Sequence, residues 1–160
     1  MGMRLSLVMI EPSEVSALVS DFDSLQQLLL RRHRGPRLDM DKEWHGIHFL
    51  LNGNAWSTEG EYGQAVFGGQ EVGPNLGYGP VRVLSAEDTS QLSSRLSAVS
   101  PETLRRRFDP VVMTSEMIYP EIWERDGNGA LEWLLKGYGK LTDFYTQAAA
   151  GGKAVVLAVL

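Results

Sequence analysis

The chain has 160 residues, 43% of them hydrophobic and 22% charged, with a formal net charge of -5 and no cysteine. That length suits one domain with its own core, and the missing thiols exclude disulfides, thiolate metal ligands and a cysteine nucleophile, which fits a cytoplasmic, reducing setting. The acidic balance argues against nucleic acid as a partner, and no apolar run approaches the roughly 20 residues that span a bilayer.

Residues 3 to 10 place Leu5, Leu7 and Met9 on one face and Arg4 and Ser6 on the other, then turn fully apolar, which predicts a first strand. Pro12 opens a helix with Val15, Leu18 and Val19 as its stripe. A second helix, capped by Asp23 or Ser24, carries Leu25, Leu28 and Leu29 and stops at Arg31-Arg32-His33-Arg34 and Gly35-Pro36. This basic run and Arg105-Arg106-Arg107 both fall where helices end, so they complement the helix dipole.

The stretch from Leu38 to Gly53 concentrates acids, two histidines and a tryptophan beside apolar surface. We read Asp41 to Leu51 as a helix, capped by Asp39 or Asp41 and ended by Gly53. The helical period puts Trp44, Ile47, His48 and Leu51 on one face, with Lys42, His45 and Phe49 pointing elsewhere. Residues 52 to 80 follow as a glycine-rich connection with one helical turn near Tyr62 to Phe67, either a cover over a pocket or an inert link. Its glycines match neither a dinucleotide fingerprint nor a phosphate-binding loop.

Val81 to Leu84 is a short strand, and Ser85-Ala86-Glu87-Asp88 is a capping box opening a helix through Leu92, Leu96 and Val99. Ser100-Pro101 and Asp109-Pro110 start two more helices, the second closed by Ile118-Tyr119-Pro120. Asp126-Gly127-Asn128-Gly129 reads as a turn before the longest helix, 130 to 149. The apolar run from Ala154 to Leu160 predicts a strand buried on both faces and paired with the first. Strands at the start, middle and end with helices between give one α+β domain on a small sheet.

These features resemble the YfbM-like family of small bacterial proteins of unknown function. The likeness rests on Met1-Gly2-Met3, Leu38-Asp39-Met40-Asp41-Lys42-Glu43-Trp44, Ile47-His48-Phe49-Leu50-Leu51-Asn52-Gly53, Ala65-Val66-Phe67-Gly68-Gly69 and Ile118-Tyr119-Pro120. The resemblance implies an α+β fold and brings no catalytic residue or cofactor.

The candidate site is Asp39, Asp41, Trp44, His45, His48 and Tyr119. His45 and His48 stand three residues apart, a spacing that can bring two imidazoles to one ion, but His-Glu-x-x-His is absent and no metal is expected. Two functions fit. In the first, Trp44, Trp56, Tyr62, Tyr78 and the glycine-rich segment bind a small molecule or a protein without catalysis. In the second, a hydrolase uses His48 as general base with Asp39 or Asp41 beside it, acting on water or on a hydroxyl such as Ser57, Thr58 or Tyr119. An open cleft at His48 favours the second reading; a sealed His48 favours the first.

Overall fold

The protein is described by a computed structural model covering residues 2–30 and 35–160. The chain begins with β1 (Leu5–Ile10), a 3-10 turn at Pro12–Glu14, α1 (Val15–Ser20) and α2 (Phe22–Leu30). It continues through β2 (Arg37–Met40), α3 (Glu43–Asn52), α4 (Gln64–Phe67), β3 (Gln70–Val72) and β4 (Val81–Leu84). After these come α5 (Ala86–Ser97), α6 (Pro101–Arg107), α7 (Pro110–Ser115), α8 (Trp123–Asp126), α9 (Asn128–Ala150) and β5 (Ala154–Val159). The architecture is α+β, as expected from the sequence.

Among the described residues the strands form one sheet in the order β2-β1-β5-β4-β3, with antiparallel neighbours throughout. The terminal strands pair from Leu5↔Val159 to Ile10↔Ala154. Both are buried along their whole length, because helices cover both faces of the sheet. Leu5, Leu7, Val155 and Leu157 enter the larger core with α3, α5 and α9. Val8, Ile10, Val156 and Ala158 meet a smaller one beneath α1 and α2. Ser6, expected on a polar face, is buried and donates to Asp39 at 2.7 Å.

Several local signals act as the sequence predicts. The Ser85 hydroxyl accepts the Asp88 amide at 3.1 Å, Ser100 accepts Thr103, and Asp109 accepts both Val111 and Val112. The run Arg105 to Arg107 occupies the last turn of α6, whereas Arg31 to Arg34 lies outside the described residues. At the start of α2 the cap is Asp21, whose carboxylate accepts the Ser24 amide, in place of the expected Asp23 or Ser24.

Other expectations need correction. Asp39 is not a helix cap but a residue of β2, a strand too short and too polar to show in the alternation. Asp41 does not cap either, since α3 starts from Lys42 without a side-chain cap bond. The connection 52 to 80 contributes the edge strand β3 as well as the expected helical turn, with Gln70 opposite Val83. The predicted turn at Asp126 to Gly129 is shared between the end of α8, Gly127 at φ 50 and the first residues of α9.

The largest departure is α3 itself. Every residue from Glu43 to Leu51 is buried, so His45 and Phe49 are as enclosed as Trp44 and His48. Two kinds of contact cover what the sequence leaves open: Trp56 and the Ala55 carbonyl enclose His45, and helices pack closely at Gly46. A Cβ placed on Gly46 would lie 2.7 Å from Trp123 and 2.8 Å from Leu134, so only glycine lets α8 and α9 approach there. The helix ends as predicted, with Gly53 left-handed at φ 74 and its amide on Phe49 O at 2.7 Å.

Candidate functional site: a sealed histidine cluster

The histidines of α3 sit in an aromatic stack. The His45 ring lies over Trp44 with centroids 4.9 Å apart, and Trp56 lies tilted against the pair, 4.3 Å from His45 and 6.3 Å from Trp44. Phe67 from α4 meets Trp44 edge-on at 5.9 Å and the His48 ring at 4.8 Å. Both histidines are 0% exposed, while Trp56 is 57% exposed and forms the outer surface of the stack.

Hydrogen bonds fix the state of His45. Nδ1 accepts the Tyr119 backbone N–H at 3.0 Å, so Nε2 carries the proton and donates to the Ala55 carbonyl at 2.8 Å. Burial lowers its pKa below the usual histidine value, opposed by the Ala55 carbonyl. His48 is pushed down to about 4, first by burial and then by the neighbouring His45, with the Ser57 backbone acting in the opposite direction. Its Nδ1 lies 3.3 Å from the Asn52 amide nitrogen, and its buried Nε2 has no well-formed hydrogen bond. Both rings are therefore neutral near pH 7, the form that burial in an apolar surrounding favours.

The acids lie elsewhere. Asp39 is bridged by Arg37 at 2.7 Å and receives the Ser6 hydroxyl, and Asp41 is exposed before α3. Among the described residues no hydrogen bond or ion pair joins either histidine to a carboxylate, and no group of three or more histidines and acids could hold a metal ion. Of the candidate hydroxyls, Ser57 accepts the Glu59 amide and Thr58 is exposed. Tyr119 joins the cluster through its backbone, while its hydroxyl abuts the Cα of Gly2.

The residues on which the resemblance rests thus meet around Trp44. Its indole N–H donates to Met3 O at 3.3 Å, Gly2 packs against Tyr119 and Lys42, and Phe67 closes the stack. Tyr62 packs on the core, whereas Tyr78 stays 55% exposed, so the aromatics of the glycine-rich segment form no single surface.

Sequence reasoning missed an open cavity of about 650 Å³ between α1, α2 and the end of β1. Ile10, Leu18 and Leu28 provide its apolar walls, with Ser13, Glu14 and Gln27 among its polar groups. No residue of α1 is buried, so this helix covers the smaller core loosely. Its short apolar stripe reads as an ordinary packed helix, and nothing in the spacing marks a space beneath it.

A family model described as Domain of unknown function (DUF1877) matches residues 1–158. The crystal structure of YfbM from Escherichia coli, a protein of unknown function, is similar with a TM-score of 0.81 at 19% identity, covering 98% of this chain and 99% of that chain. At that identity the likeness concerns the fold. No curated protein matches. The chain, matched over nearly its whole length, belongs to the DUF1877 family and has the YfbM-like fold.

Proposed function

We propose that this chain is a non-catalytic binding domain, cytoplasmic in a bacterium, whose ligand is a small and largely apolar molecule. The ligand sits between α1, α2 and the end of β1. The observation that carries this reading is the open cavity of about 650 Å³ whose walls include Ile10, Leu18 and Leu28. Concave apolar space with a few polar groups is what small-molecule sites require. α1, none of whose residues is buried, can also shift to admit a guest at small cost, while Leu25 and Leu29 hold α2 in the smaller core.

The sealed histidines support binding over hydrolysis. A general base must come within hydrogen-bond reach of the proton it takes, and His48 lies beneath Phe67 with no exposed surface. Asp39 is engaged by Arg37 and Ser6. No helix among the described residues is long and apolar enough to cross a membrane.

A thermal-shift titration with decanol, repeated on Leu28→Trp, tests the proposal. Binding to the native state raises the melting temperature with ligand concentration. The wild type is expected to show that rise, and the variant, whose indole fills the cavity, to lose it. An equal rise in both proteins would place the ligand elsewhere and end this reading.

A further inference from the structure

We propose a second binding site, independent of that cavity: the groove at the C-terminal end of α3 binds a free α-amino acid with an apolar side chain. The groove holds about 460 Å³ and is lined by Leu50, Leu51 and Val112 together with Arg107 and Asp109. Each charged group is pinned through one atom. Arg107 donates from Nη1 to Leu50 O at 3.0 Å and Leu51 O at 3.3 Å. Asp109 accepts on Oδ1 the amides of Val111 and Val112, both at 3.1 Å.

Helix capping accounts for those atoms and for no others. Among the described residues the remaining guanidinium donors and the Oδ2 of Asp109 have no hydrogen-bond partner, and the two side chains do not bridge each other. This is not a consequence of spacing. Arg37 and Asp39 have the same Arg-x-Asp separation and close to 2.7 Å. In the groove, Arg107 is held by the backbone of α3 and Asp109 by that of α7, and both line it beside Leu50, Leu51 and Val112.

An amino-acid zwitterion has the matching arrangement. Its carboxylate takes the free N–H groups of Arg107, its ammonium takes Oδ2 of Asp109, and its side chain lies on Leu50, Leu51 and Val112. Asp109 repels a simple carboxylate and Arg107 repels a simple amine, so recognition requires both charges. Because both anchors are already oriented by the backbone, little ordering remains to oppose binding.

Isothermal titration calorimetry on the whole chain tests this with L-leucine, 4-methylpentanoate, which lacks the ammonium, and 3-methylbutylamine, which lacks the carboxylate. Leucine should bind at least about tenfold more tightly than either analogue. Asp109→Asn keeps an oxygen to cap α7, so it should leave the melting temperature in place while reducing leucine to the affinity of 4-methylpentanoate. Arg107→Gln should reduce it to that of the amine. If Asp109→Asn fails to fold, Val112→Trp replaces it by filling the groove from an exposed position, and leucine binding should vanish. Leu28→Trp should leave leucine binding intact, which separates this site from the cavity. No heat with leucine at millimolar concentration, equal binding of the three compounds, or undiminished binding in Arg107→Gln and in Asp109→Asn or its replacement would each overturn the proposal.

Discussion

The Nδ1 of His45 accepts the backbone N–H of Tyr119 at 3.0 Å, and through Nε2 the same ring holds Ala55 at 2.8 Å. One imidazole therefore ties the segment after α3 to the segment after α7. Replacing it by Phe keeps the stack with Trp44 and Trp56 but leaves an amide and a carbonyl unpaired. Each buried orphan costs about 1–3 kcal/mol. His45→Phe should lose roughly 2–6 kcal/mol in urea unfolding. Faster amide exchange at Tyr119, with most other amides little changed, would place the loss at this bridge.

Acid should weaken the fold through the same cluster. The folded pKa of His48 lies at about 4 against the ordinary 6.5, and that of His45 is also lowered. Between those values the unfolded chain binds the proton and the folded chain does not, so stability rises with pH. The contribution is complete above about pH 6.5 and lost as pH falls toward 4. At about 1.4 kcal/mol per pKa unit, His48 accounts for roughly 3 kcal/mol. Urea unfolding at several pH values should show the slope, and His48→Leu should flatten it; an unchanged slope in the variant would assign the effect to other groups.

Trp44 is fully buried, with its indole N–H on Met3 O. Trp44→Ala should cost about 3–5 kcal/mol, the usual range for core aromatic truncation. Trp56, more than half exposed, covers His45 from outside, and Trp56→Ala should cost about 1 kcal/mol. Paired melting temperatures check the contrast, and similar losses would show that Trp56 is as structural as Trp44.

Gly46 marks the crossing of α3 with α8 and α9. Alanine there gains about 1 kcal/mol in helix propensity but intrudes on Trp123, which is held by its own N–H bond to Ile118 O at 2.6 Å. Overpacking of this kind costs about 1–3 kcal/mol, so Gly46→Ala should be destabilising on balance. A raised melting temperature would mean that the helices separate freely.

Met117 occupies the left-handed region at φ 52 with its side chain 73% exposed. Its amide and that of Ile118 return to Thr114 O and Met113 O, closing α7 as glycine commonly does. An L-residue there carries about 1–2 kcal/mol of strain, partly offset by the greater unfolded freedom of glycine. Met117→Gly should therefore gain up to about 1 kcal/mol in urea unfolding, since little burial is lost.

The sequence by itself determined the parts whose physics is local. Strand alternation placed β1, continuous apolarity placed β5, and Ser85, Ser100, Asp109 and Gly53 marked helix ends because caps act over three or four residues. Tertiary structure decided the rest. β2 exists because Asp39 and Arg37 line up against β1, not because its four residues prefer a strand. His45 is buried because Trp56 and the Tyr119 segment fold onto it, the latter a contact more than 70 residues distant that helical period cannot foresee. The cavity and the groove arise where helices fail to close on their neighbours. Such gaps belong to no single segment, so only the packed chain contains them.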